Sequence, residues 1–188
     1  MNVYDFDNTI FVPDSSYCFV CYCARHYPRV VSSMIPSSLL QFALYMRDGR
    51  RDAKQLKEAL FSFLNRIDSV ERVVQEFWKE NFEKIDEWYL RQKREDDLII
   101  SASPEFLLRP AADRLGVSLI ATPMNPYTGI INGRNCHDRE KARRFLERYA
   151  SDGIENFFSD SLSDAPMARL AQKAWLIKDH CCEPWPGA

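Results

Sequence analysis

The chain opens with two carboxylates two positions apart, in Asp5-Phe6-Asp7-Asn8-Thr9, directly after a short apolar run, Asn2-Val3-Tyr4. Side chains on an extended strand alternate faces, which puts Asp5 and Asp7 on one side and Phe6 on the other, in a core. Two unit charges ~4 Å apart at an effective dielectric of ~20 repel by about 4 kcal/mol, so such a pair persists only beside positive charge. A divalent cation held by oxygen ligands supplies that charge, and Mg²⁺ suits carboxylates, water and a phosphate oxygen. The plainer reading is a polar turn after an edge strand, with Asp7 capping it. Positions further along decide between the two. Ser101 follows Leu98-Ile99-Ile100, Asp160 follows Asn156-Phe157-Phe158-Ser159 and has Asp164 beyond it, and Lys141 lies on an amphipathic stretch between them. Each also has an ordinary explanation. Ser101 can end a strand, Lys141 can pair with Glu140 or Glu147 on a solvated helix, and Asp164 before Pro166 can start a helix.

The elements that must position these residues are read from the period of the apolar side chains. Between Pro13 and about Glu95 there is no strand-like alternation and Gly49 is the only glycine, so the segment reads as helical. Asp14, Ser15 and Ser16 can cap a first helix running to about His26, before Pro28. A second begins near Pro36 and ends before Asp48-Gly49. A third carries Leu56, Leu60, Phe63 and Leu64. A fourth carries Val70, Val73, Val74, Phe77, Trp78, Phe82 and Ile85, and the four together predict a small bundle with its own apolar interior. After residue 95 the period changes. Strands are predicted at Leu98 to Ile100, Val117 to Ala121, Asn156 to Ser159 and Trp175 to Ile177. Helices are predicted from Ser103-Pro104 to Leu115-Gly116, from Asp138 to Ala150 and from Pro166 to Gln172. A small hairpin or β excursion is expected at Thr128 to Gly133, and the tail from Glu183 reads as a terminal loop whose Trp185 can dock against the body.

Strands alternating with helices give an α/β fold class, a doubly wound, Rossmann-like parallel sheet with helices on both faces, plus an inserted all-helical unit. The expected core comprises residues 1–12 and 96–188, and the insert residues 13–95. In such sheets ligands bind beyond the carboxyl ends of the strands. Asp5, Ser101 and Asp160 each follow an apolar strand, so three strands deliver polar groups to one rim.

A chain of 188 residues with 46% apolar residues is long enough for a sizeable core, and its net charge of -2 gives no general attraction to nucleic acid. The six cysteines show no disulfide spacing, and no signal peptide precedes the first strand, which together predict a cytoplasmic location. Cys18, Cys21 and Cys23 with His26 lack the second pair that a zinc site needs, and read as buried thiols on a helix.

Taken in order, Asp5-Phe6-Asp7-Asn8-Thr9, Ile100-Ser101-Ala102-Ser103-Pro104, Lys141 and Ser159-Asp160-Ser161-Leu162-Ser163-Asp164 resemble the four motifs of the haloacid dehalogenase-like (HAD) superfamily. The match is to its phosphoserine phosphatase-like branch, in which a helical cap of the C1 type interrupts the first two motifs. Ser159 departs from the pattern, standing where relatives often have glycine. The resemblance implies a Mg²⁺-dependent phosphatase acting on a small organic phosphate monoester. Asp5 would be the nucleophile that forms an aspartyl-phosphate, and Asp7 the general acid and then base. Ser101 and Ala102 would bind the phosphoryl group, Lys141 would neutralise charge, and Asp5, Asp7, Asp160 and Asp164 would form the metal site, Asp164 from behind the direct ligands.

Within the insert, Asp14 falls where phosphoserine phosphatases carry an acidic substrate-binding residue, and is equally a helix cap. Arg47, Arg50 and Arg51 surround Gly49 and can meet a second anionic group or form a solvated turn. Val30 to Met46 carries no charge, yet Pro36 and a length short of ~20 residues argue against a membrane span. That stretch either packs within the insert or meets a lipid. Two alternatives therefore stand beside the small-molecule phosphatase: a lipid-phosphate phosphatase in peripheral contact with a membrane, and a non-catalytic phosphate-binding protein. The sequence sets no oligomeric state.

Overall fold

The computed structural model describes residues 1–32, 53–150, 153–178 and 181–187. Its centre is a six-stranded sheet of β1 (Asn2–Tyr4), β2 (Leu98–Pro104), β3 (Ser118–Thr122), β4 (Ile154–Ser159), β5 (Ala171–Lys178) and β6 (Cys181–Pro184), in the order β3-β2-β1-β4-β5-β6. The first five strands pair in parallel, and β6 returns antiparallel along β5. From β1 the chain builds outward on one side through β2 and β3, then resumes on the other side of β1 with β4. That reversal makes the carboxyl ends of β1 and β4 the place where a ligand crevice forms.

The alternation along β1 divides the core. Val3 joins Leu98, Ile100, Phe157 and Leu176 on one face, where Phe145 of α7 (Arg139–Leu146) and Met167 of α8 (Ala165–Ala168) cover them. Tyr4 joins Ile99, Leu119 and Phe158 on the other, covered by α6 (Glu105–Leu115) and by the inserted helices. These are α1 (Ser15–His26), α2 (Pro28–Ser32), α3 (Ala53–Phe61), α4 (Val70–Asn81) and α5 (Glu87–Gln92). Asp14 caps α1 by accepting from the Tyr17 amide at 2.7 Å. Among the described residues the insert shows no separate interior. Phe19, Phe61, Phe77 and Trp78 lie in one continuous cluster with Tyr4, Phe6 and Phe11, and the Trp78 indole donates to the Leu107 carbonyl of α6 at 2.6 Å. The second predicted helix lies outside the described residues beyond Ser32, and α2 precedes it unforeseen.

Other expectations are corrected by pairing partners the sequence does not display. β2 does not end at Ser101, because Pro104 still pairs with Thr122 beyond a register shift. Of the hairpin or β excursion expected at Thr128 to Gly133, the structure has a bridge between Met124 and Ile131. β5 starts at Ala171 and takes residues assigned to the preceding helix, which shrinks to Ala165–Ala168. The tail contributes β6, and Trp185 is buried against the sheet. Cys23 is buried as expected but Cys21 is exposed.

Candidate active site

Asp5 leaves β1 with its amide still donating to the Phe158 carbonyl of β4 at 2.8 Å, so the ladder fixes the residue beyond the strand end. Its Oδ1 accepts from the Phe6 amide at 2.8 Å and stands 2.9 Å from Lys141 Nζ. Lys141 projects from α7 and is almost completely buried. Its ammonium also meets Asp164 Oδ2 at 2.7 Å, and that oxygen accepts from Ser159 Oγ at 2.8 Å. Burial works against the charge on Lys141, yet Asp5 and Asp164 hold it above the ordinary lysine range. One cation thus joins the ends of β1, β4 and α7. Burial pushes Asp5 up to about 7, with Lys141 opposing and Asp164 adding to the rise.

Asp7 is held by different partners. Its Oδ1 accepts from the Ser15 amide at the start of α1 at 2.7 Å, and its Oδ2 accepts from Ser103 Oγ at 2.5 Å. Burial and then repulsion from Asp14 raise it to about 6, while Ser103 and Ser15 oppose the rise. Ser103, which reads in the sequence as a helix opener, is therefore a site residue. Its hydroxyl lies 2.8 Å from Ser16 Oγ, and its amide donates to Ser101 Oγ at 3.1 Å. The signal was present: with β2 prolonged, Ser103 falls on the same face as Ser101, two residues on.

Of the remaining expected residues, Asp160 is anchored by its amide, which donates to Thr9 Oγ1 at 3.0 Å, and burial raises its carboxyl. Ala102 uses its carbonyl for Lys57 Nζ at 2.6 Å and Thr122 Oγ1 at 2.7 Å. Lys57, on α3, is a second cation that the sequence reading passed over, because its helix was read for its apolar face. Asp14 stays at its capping position. Arg47 lies outside the described residues, as do Arg50 and Arg51.

The residues present fit a divalent cation. Asp164 Oδ1 is buried with no hydrogen-bond partner. Burial raises Asp5 to about 7 even with Lys141 opposing it, and Asp164 and Asp7 add to the rise, so added positive charge would favour its ionised form. Among the described residues no three His, Cys, Asp or Glu side chains are grouped so as to hold a metal ion.

A family model described as haloacid dehalogenase-like hydrolase matches residues 3–169. Among curated proteins, none matches the chain. A solved structure of a protein of unknown function from Bordetella pertussis Tohama I is similar at 22% identity, TM-score 0.72, covering 93% of this chain and 87% of that one. A phosphoserine phosphohydrolase-like protein from Francisella tularensis subsp. tularensis SCHU S4 is similar at 16% identity, TM-score 0.55, covering 96% and 88%. A phosphoserine phosphatase in its apo form is similar at 12% identity, TM-score 0.55, covering 92% and 82%. At these identities the likeness is one of fold.

Proposed function

Since the chain belongs to the haloacid dehalogenase-like hydrolase family, we propose that it is a phosphomonoesterase that cleaves a small organic phosphate through a covalent intermediate on Asp5. The observation that carries this reading is the placement of Asp5 and Asp7 at one strand end with opposite partners, a buried lysine for the first and hydroxyl and amide donors for the second. An Asp5 carboxylate oxygen attacks phosphorus. The bond from phosphorus to the ester oxygen breaks, its electron pair stays on the leaving oxygen, and Asp7 donates a proton there. Asp7, now ionised, takes a proton from water as that water attacks phosphorus. The bond to Asp5 breaks and inorganic phosphate leaves.

A carboxylic acid at about 6 can perform both halves near neutral pH. Lys141 keeps Asp5 in place and supplies positive charge close to the transferred group, and Ser101 offers a hydroxyl on the same rim. Mg²⁺ bound by Asp5, the main chain at Asp7 and Asp160, with Asp164 behind them, would neutralise phosphoryl charge. The free cysteines are in keeping with a reducing cytoplasm. Among the described residues no helix is long and apolar enough to cross a membrane. Most of the Val30 to Met46 stretch behind the lipid-phosphate alternative lies outside the described residues.

The test is phosphate release from p-nitrophenyl phosphate with Mg²⁺. Turnover is expected in the wild type and absent in Asp5→Asn. No turnover by the wild type across a panel of phosphorylated metabolites would favour the non-catalytic alternative.

A further inference from the structure

The proposed reaction leaves unused a groove between α3 and the loop entering α7. It encloses about 600 Å³, within the range of roughly 300–1,000 Å³ that small-ligand sites occupy. Lys54, Arg134, Asn135, His137, Arg139 and Arg143 are among its lining residues. Many guanidinium groups answer a carboxylate: Arg94 meets Glu155, Arg109 meets Glu105, and Arg144 and the groove's own Arg143 both meet Glu140. Arg134 and Arg139 are exposed and form no ion pair among the described residues. The acids of the groove do not cancel them. Glu140 is held by Arg143 and Arg144, which leaves Asp138 as the remaining acid among the lining residues.

Two further observations mark the groove as more than a solvated basic face. Asp138 takes φ 52 and ψ -127, a conformation that a side chain disfavours and that persists where function or packing demands it. The walls also adjoin the reaction rim. His137 Nε2 lies 3.3 Å from Ser163 Oγ, in the loop between Asp160 and Asp164. Asn135 Oδ1 accepts from Thr122 Oγ1 at 2.8 Å and from Lys57 Nζ at 3.4 Å, and the same ammonium holds the Ala102 carbonyl beside Ser101.

We infer that this groove binds a phosphate-class anion, and that the anion is a second phosphoryl or carboxylate group of the substrate cleaved at Asp5. The inference rests on the phosphomonoesterase reading and narrows it to substrates with two anionic groups. Guanidinium forks match phosphate and carboxylate oxygens with paired donors, and two of them standing free on a concave wall give a bound anion charge-assisted contacts.

The test pairs kinetics with direct binding. Hydrolysis of glucose bisphosphate is compared with that of glucose monophosphate in the wild type, Arg134→Gln/Arg139→Gln and Arg134→Lys/Arg139→Lys, and inorganic pyrophosphate is titrated calorimetrically into each. The glutamine pair is expected to lower kcat/KM for the bisphosphate relative to the monophosphate by about tenfold or more, mainly through KM, and to weaken pyrophosphate binding similarly. The lysine pair should recover part of both losses. Equal losses on the two substrates with unchanged pyrophosphate binding would overturn the inference. Weaker pyrophosphate binding with an unchanged substrate ratio would assign the groove to a free anion and overturn the substrate assignment. If the wild type hydrolyses no phosphate ester, the phosphomonoesterase reading fails, and the pyrophosphate titration still decides whether the groove takes an anion.

Discussion

Burial raises Asp7 to about 6, and Ser103 holds that rise in check. Its hydroxyl favours the ionised carboxylate, so Ser103→Ala should raise Asp7 further above about 6 and move the alkaline limb of the pH profile of kcat/KM upward. A limb that stays in place would detach Ser103 from the acid–base role. Lys141 is the other decisive residue. Lys141→Met strands Asp5 and Asp164 as buried anions, an effect on the order of 3–5 kcal/mol, and urea denaturation should show a loss of that size. The placement of Asp5 and Asp160 directly beyond strands was legible, because a short apolar run marks where the chain leaves the sheet. Ser103 and Lys57 were not. Their roles come from partners distant in sequence, Asp7 for one and the Ala102 carbonyl for the other.

At the scale of elements, the insert and the loop after β3 meet at a close backbone contact. Gly129 has φ +71, and a Cβ there would meet the Phe61 carbonyl oxygen at 2.5 Å. Gly129→Ala should therefore lower stability by about 1–3 kcal/mol and push the loop off α3, measured by denaturation and by faster amide exchange in residues 125–131. Parallel strands buried on both faces were legible as apolar runs, and α1 and α4 from their cap residue or apolar stripe. β6 was not, because Cys181 to Pro184 are all exposed and show no alternation. Only pairing with Trp175 to Lys178 makes that segment a strand. The start of β5 was hidden in the same way, since Gln172 and Lys173 are exposed polar residues.

For the molecule as a whole, the acids at the site tie stability to pH and to cations. Asp5 and Asp7 titrate at about 7 and about 6 in the folded protein, above the ordinary carboxylate range near ~4. Their contribution is full below that range and is lost as pH rises through about 6 and about 7. Glu140, held at about 2, acts with the opposite sign and only at more acid pH. Metal-free protein should therefore melt at a lower temperature at pH ~8 than at pH ~5 through these groups, and Mg²⁺ should raise the melting temperature more at the higher pH. An equal Mg²⁺ effect at both would separate the cation from these carboxylates. The central claim, that Asp5 becomes covalently phosphorylated, is tested most directly by acid-quenching the enzyme during turnover of a radiolabelled phosphate ester and mapping the label. A hydroxylamine-labile label on the peptide containing Asp5, absent from Asp5→Asn, is the predicted result. Sustained hydrolysis with no label on that peptide, and with Asp5→Asn still active, would contradict it.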